Sequence, residues 1–171
     1  MNKSMLTRVG LFLVLLGVLI TWYRYRQPRF RAGDKAPDFD VALLDGRTAH
    51  LSDLHGKYTL LQFWGSWCGP CRAENPALLN IYRQYGTQGF EIFSVAIERN
   101  PESWRRAIRQ DGINWPYHTM EQDDFNGRLT RMFNVKSIPT TLLLDPEGTI
   151  IGVNLVPEQI EKTLAERLAG R

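Results

Sequence analysis

The sequence predicts an α/β domain, a central sheet layered between helices, behind a short apolar N-terminal segment. Three observations carry that prediction. From residue 58 to residue 168, β-rich runs alternate with capped or amphipathic helical runs, the order that builds a helix-covered sheet. One β-rich run, residues 58–64 (Tyr-Thr-Leu-Leu-Gln-Phe-Trp), is apolar nearly throughout, as a strand buried on both faces must be. That run leads into Trp67-Cys68-Gly69-Pro70-Cys71, which holds the only two cysteines of 171 residues, and then into helix-forming Arg72-Ala73-Glu74.

The elements follow in order. Residues 9–23 form an uncharged, mostly apolar run of 15 residues, roughly 22 Å as a helix and short of the ~30 Å hydrocarbon core. Counted from Met5 to Tyr25, with Arg8 snorkelling and Trp22, Tyr23 and Tyr25 at the interface, the run has 21 residues and reaches roughly 31 Å. No Ala-x-Ala pattern follows it, so residues 1–25 read as an uncleaved single-pass anchor rather than a cleaved signal. Residues 26–36 are a basic, Pro- and Gly-punctuated linker, and residues 37–171 form the folded domain.

Within the domain, residues 39–44 and 47–51 read as a hairpin around Asp45-Gly46, and residues 52–54 as one helical turn. Strand 58–64 precedes a long helix from Cys68 to about Tyr85, which Pro76 should kink. Residues 91–97 are a strand; Asn100 caps a helix over 101–110 with Pro101 at its first position. Residues 113–118 read as a short extended piece and 124–133 as a further helix. Ser137-Ile138-Pro139-Thr140 leads into strand 141–144, Asp145-Pro-Glu-Gly148 turns, and 149–153 is the paired edge strand. An amphipathic helix over 158–168 closes the domain, stopped by Gly170.

Charge and cysteine content exclude several classes. Residues 1–35 carry seven Lys/Arg against one acid, whereas the rest carries 14 against 17, so the folded part is mildly acidic and no nucleic-acid partner is expected. Two cysteines cannot build a disulfide framework, and with three histidines at no ligand spacing they offer no zinc site. No Gly-x-Gly-x-x-Gly pattern is present, so no dinucleotide cofactor is expected. What remains is the dithiol itself. A helix N-terminus carries unpaired N–H groups and a partial positive charge, which stabilise a thiolate on the first cysteine. Such a pair can attack a disulfide and then close on itself, so Cys68–Cys71 would serve as a redox-active disulfide without a cofactor.

The strand–WCGPC–helix unit resembles thioredoxin, as does Ile138-Pro139-Thr140 roughly 70 residues later, before a strand and an Asp-x-x-Gly turn. Three further stretches resemble the TlpA/ResA-like membrane-anchored thiol-disulfide oxidoreductases. They are Gly33-Asp34-Lys35-Ala36-Pro37-Asp38-Phe39, the Cys71-Arg72-x-Glu74-x-Pro76 run and the Asp145–Gly148 turn, with an extra helix and strand inside 91–133. The resemblance covers about residues 33–169 and implies a thioredoxin-like fold: a central mixed sheet flanked by helices, with an N-terminal β-hairpin and a helix–strand insert. It also implies that Pro139 is a cis-proline facing the dithiol. Cytochrome-maturation reductases related to CcmG usually carry an acid after that proline, where this chain has Thr140.

By this reading Cys68 is the attacking nucleophile and Cys71, one turn deeper, resolves the mixed disulfide. Trp67, Gly69, Pro70, Ile138 and Pro139 would contact the substrate, the last two through backbone; for Trp67 a place in the core is the alternative. Cytosolic-type thioredoxins hold a buried aspartate six residues before the first cysteine. Gln62 stands there and cannot titrate. Glu74, three residues after Cys71 on one helix face, is then the candidate proton acceptor, against a solvent-facing alternative. His118, Trp104, Trp115 and Tyr117 lie in the insert and are assigned no chemistry.

The function expected is reduction of disulfides in extracytoplasmic proteins, with apocytochromes c as candidate substrates. An upstream membrane or thioredoxin-type donor would re-reduce the pair, and the N-terminal helix would hold the chain to the cytoplasmic membrane. Basic residues after the span oppose that orientation under the positive-inside rule. Three alternatives stand beside it: an oxidant or isomerase of the same fold, a metallochaperone-type assembly factor, and a peroxidase. The peroxidase would place Thr-x-x-Cys after a proline, a threonine that Gly65-Ser66-Trp67-Cys68 lacks.

Overall fold

The computed structural model describes residues 3–26 and 30–169. Residues 27–29 of the expected linker, the first two residues of the expected anchor, and Gly170 lie outside the described residues. The apolar N-terminal run forms helix α1 (Lys3–Arg26), whose side chains from Arg8 to Tyr23 are exposed. Among the described residues no helix is long and apolar enough to cross a membrane.

The domain is built on β3 (Tyr58–Trp64), buried at every position. Its neighbours are β4 (Phe90–Ile97) in parallel and β6 (Thr140–Leu144) antiparallel. Outside these lie β5 (Tyr117–Glu121), parallel to β4, and β7 (Ile150–Val153), antiparallel to β6, giving a five-stranded mixed sheet of order β5-β4-β3-β6-β7. Both outer edges are partly covered. A hairpin of β1 (Asp40–Ala42) and β2 (Thr48–His50) lies beside β5, with Leu44 N–H donating to His118 O at 2.8 Å and the Thr119 hydroxyl to Ala42 O at 2.9 Å. Residues 33–36 run along β7, tied by Gly33 N to Ile150 O and Ile150 N to Asp34 O, both at 2.8 Å. Such covers shield part of each edge, which would otherwise invite strand addition.

Side-chain alternation divides the core into two halves. On one face Leu60, Trp64, Ile92 and Ala96 pack under three helices: α2 (Gly69–Tyr85), α3 (Pro101–Gln110) and α5 (Pro157–Leu168). On the other, Leu61, Phe63, Phe93 and Val95 meet Phe39, Leu51, Leu129 and Phe133, contributed by the hairpin, the turn Leu51–Leu54 and α4 (Arg128–Met132). The same alternation sends two polar residues, Gln62 and Ser94, to the α2 face, paired across β3 and β4. Asn100 caps α3 as the sequence predicts, accepting from the Glu102 and Ser103 N–H groups.

Three expectations are corrected. The extended piece at 113–118 starts later, as β5 from Tyr117. Ile113 is instead held to α3 by its N–H on Ile108 O at 3.1 Å, and Trp115 fills the core as a loop residue. The helix expected over 124–133 breaks into a 3₁₀ turn, Asp124–Asn126, and α4. Gly127 between them is extended, and the Glu121 carboxylate occupies the space its Cβ would take while accepting from Leu129 N and Thr130 N at 2.6 and 2.9 Å. Cys68 is not the first helical residue but the N-cap of α2, and α2 continues through Pro76 to Tyr85.

Candidate active site

Strand β3 ends at Trp64, and the chain must leave the sheet before α2 can start. Gly65 permits this: a Cβ there would lie 2.9 Å from the Trp67 Nε1 and 3.1 Å from the Ile97 carbonyl oxygen. These two atoms form a hydrogen bond with each other at 2.9 Å, so the loop is stapled to the end of β4 by the indole N–H. Ser66 adds a second staple, its hydroxyl donating to the buried Glu98 carboxylate. Trp67 is 58% exposed, which removes the core alternative and leaves an aromatic face pointing into solvent beside the cysteines.

Cys68 caps α2 and is joined to Cys71 by a disulfide, with 5.3 Å between the Cα atoms. The Cys71 N–H is directed at the Cys68 sulfur at 3.2 Å. A helix of 17 residues therefore points an N–H group and its positive end at the sulfur that would carry a thiolate. Gly69 and Pro70 occupy the first two helical positions, exposed, and the proline's missing N–H leaves no donor to be satisfied there. Cys68 is nearly buried and Cys71 wholly so, which makes Cys68 the sulfur nearer to solvent.

The Ile138–Pro139 peptide is cis, as the family resemblance implied. Thr140 pairs with Phe63 across β6 and β3, so Pro139 comes opposite Trp64, the residue from which the cysteine loop departs. The Thr140 hydroxyl folds back on Ser137 O at 2.7 Å, and Ile138, half-buried, packs against both halves of the core. The sheet thus brings Trp67, Cys68, Gly69, Pro70, Ile138 and Pro139 to one end.

Glu74 is half-buried. Burial and then the neighbouring Glu158 carboxylate at the start of α5 push its carboxyl above the ordinary range. Among the described residues its carboxylate makes no hydrogen bond to the dithiol. Gln62 is buried, accepting from the Ser94 hydroxyl at 2.9 Å and donating to Asn75 Oδ1 at 3.4 Å. Asn75 in turn donates to Asp111 at 2.8 Å, and Asp111 grips Arg72. Arg72, Asn75, Asp111, Ser66 and Glu98 carried no functional expectation. Asn75 alone left a signal, since it falls at the helical position one turn after Cys71, where an apolar residue belongs. No group of three or more metal-ligating side chains occurs among the described residues.

Comparison with known proteins agrees with this geometry. Residues 32–153 match the AhpC/TSA family. The chain is 32% identical over 156 residues to the thiol-disulfide oxidoreductase ResA of Bacillus subtilis, covering 89% of this chain and 85% of that one. A ResA of Geobacillus kaustophilus is 32% identical over 170 residues, 95% of each chain. Among solved structures, the thioredoxin domain of a thiol-disulfide oxidoreductase from Bacteroides vulgatus superposes with a TM-score of 0.74 at 31% identity, over 81% of this chain and 99% of that one. A thiol:disulfide interchange protein from Bacteroides sp. gives 0.73 at 31% identity, over 82% and 91%.

Proposed function

Because the chain belongs to the AhpC/TSA family and to the ResA-like thiol-disulfide oxidoreductases of the thioredoxin superfamily, we propose that it is a membrane-tethered reductase of extracytoplasmic protein disulfides, apocytochromes c among them. The observation that carries the reading is the Cys71 N–H aimed at the Cys68 sulfur at the head of α2. That donor and the helix terminus favour the thiolate, the form that attacks.

In the reduced protein the Cys68 thiolate attacks one sulfur of the substrate disulfide and expels the other as a thiolate. The Cys71 thiol gives its proton to Glu74 and attacks the Cys68 sulfur, releasing the second substrate sulfur and leaving the Cys68–Cys71 disulfide. Two electrons pass to the substrate. Glu74 suits the proton step because its raised pKa brings it nearer to neutral pH than an ordinary carboxylate. Gln62 cannot take that part. The exposed face of Trp67, with Gly69 and Pro70, forms one wall for the substrate chain, and the backbone at Ile138–Pro139 forms the other, pairing like an added strand. A separate dithiol donor, membrane-bound or thioredoxin-like, returns two electrons to the pair. Helix α1 with its exposed apolar side chains holds the domain at the membrane.

Cys71→Ala tests the roles of the two cysteines. In cells it should accumulate reductant-sensitive mixed disulfides through Cys68, identifiable by mass spectrometry, and the Cys68→Ala/Cys71→Ala double variant should accumulate none. Adducts formed without Cys68 would refute the assignment. Recovery of cytoplasmic proteins alone would refute the compartment.

A further inference from the structure

Arg72 follows Cys71 directly, and its backbone N–H donates to the carbonyl of the N-cap Cys68 at 3.1 Å, which places it on the turn of α2 next to that residue. A free guanidinium there would sit one turn from the attacking sulfur. It is not free. Asp111, at the C-terminal end of α3, takes the Arg72 Nε at 3.0 Å and its second nitrogen at 2.5 Å, a two-pronged grip. Asp111 is nine-tenths buried as a side chain and Arg72 two-thirds. Its other donor is Asn75, whose oxygen in turn accepts from the buried Gln62 of β3. Burial alone would raise the Asp111 carboxyl, but hydrogen bonds from Arg72 and then Asn75 outweigh it and hold the group below the ordinary range. The carboxylate is therefore charged whenever the enzyme works. The other carboxylates around this end of α2 are Glu74 and Glu158 on the α5 side and Glu98 at Ser66.

We propose that Asp111 is a positioning residue that withholds the Arg72 cation from Cys68 and so keeps the dithiol reducing. The inference rests on Cys68 being the nucleophile. Its logic is one of charge. Glutathione reduction converts the Cys68–Cys71 disulfide and two thiols into glutathione disulfide, a Cys71 thiol, a Cys68 thiolate and one released proton. Anything that stabilises the thiolate favours the reduced protein and makes the couple more oxidising. A lone cation within ~6 Å lowers a thiol's pKa by about one unit, whereas a cation already paired with a carboxylate does far less. The insert that carries Asp111 thereby contributes to the chemistry without touching the sulfurs.

The test is the Cys68 titration, read by alkylation rate against pH in the reduced protein, together with the glutathione equilibrium. Asp111→Asn leaves Arg72 only neutral acceptors, the new amide oxygen and Gln110 Oε1 at 3.2 Å, so its charge is no longer balanced. The variant should raise the Cys68 thiolate fraction below its pKa about tenfold and shift the equilibrium toward dithiol by up to about tenfold, which is about 30 mV for two electrons. Arg72→Gln leaves Asp111 unpaired and should shift both in the opposite direction. The Arg72→Gln/Asp111→Asn double variant, neutral at both sites, should return close to the parent. Should Asp111→Asn fail to fold, Arg72→Gln decides alone. An unmoved titration with a lowered melting point would show a purely structural clamp and overturn the inference, as would a double variant that stays shifted. Parent protein in which Cys68 shows no titrating thiolate or no disulfide reduction would fail the functional reading itself, a distinct result.

Discussion

Gly65→Ala puts one methyl group where the loop ahead of Cys68 has no room. The added Cβ would lie 2.9 and 3.0 Å from the Trp67 Nε1 and Cε2 atoms and 3.1 Å from Ile97 O. Ile97 is the last residue of a buried central strand and cannot retreat, whereas Trp67 is exposed and can. The indole should therefore swing out and lose its hydrogen bond to Ile97 O, worth about 1 kcal/mol. Residual crowding against the carbonyl adds about 1–2 kcal/mol, for a total loss of about 2–3 kcal/mol. Urea unfolding of the oxidised protein measures this, and disulfide reduction should slow in parallel because Trp67 no longer lines the site. In a Trp67→Ala background two of the three contacts are already gone, so Gly65→Ala should cost about 1 kcal/mol less there. A cost within about 0.5 kcal/mol of zero, or an identical cost in both backgrounds, would refute the staple.

Glu74→Gln removes the raised carboxyl three residues after Cys71 on α2 while keeping its shape. The rate of substrate reduction at neutral pH should fall on the order of 100-fold and lose its dependence on pH in the acidic range, and an unchanged profile would rule out Glu74 as the proton acceptor. His118 is buried against Trp115, ring centroids 5.7 Å apart, and burial pushes its pKa down to about 4 against an opposing contribution from the Trp115 backbone. The unfolded chain, with an ordinary value of 6.5, binds the proton first, so stability is full above that pH and falls as pH drops toward 4. Relative to His118→Gln, the parent should lose up to ~3 kcal/mol over that window in urea unfolding, and parallel loss in both proteins would contradict it.

The parts of the site that sequence reveals are those whose chemistry fixes the residue type. A resolving pair needs two cysteines at a helix N-terminus, and an all-buried β3 needs an apolar run. Asn100-Pro101 capped α3 where the pattern put it, because capping is decided within three residues. The Arg72–Asp111 grip was invisible because its partners stand 39 residues apart and meet only once α3 lies against α2. The break at Gly127 depended on a carboxylate arriving from β5, and glycine inside a helical pattern gave no hint of it. Ile113 and Trp115 alternate like a strand although the loop simply buries them, which displaced the expected start of β5. Whether Trp67 faces solvent or core is decided by one hydrogen bond to a residue 30 positions away, beyond the reach of local pattern.

The reduction potential of the Cys68–Cys71 couple, measured by equilibration against glutathione buffers of defined ratio, bears most directly on the reductase reading. A pair built to reduce protein disulfides should poise near the −270 mV or so of reducing thioredoxins. A value near about −120 mV, where the strongest dithiol oxidants lie, would contradict it.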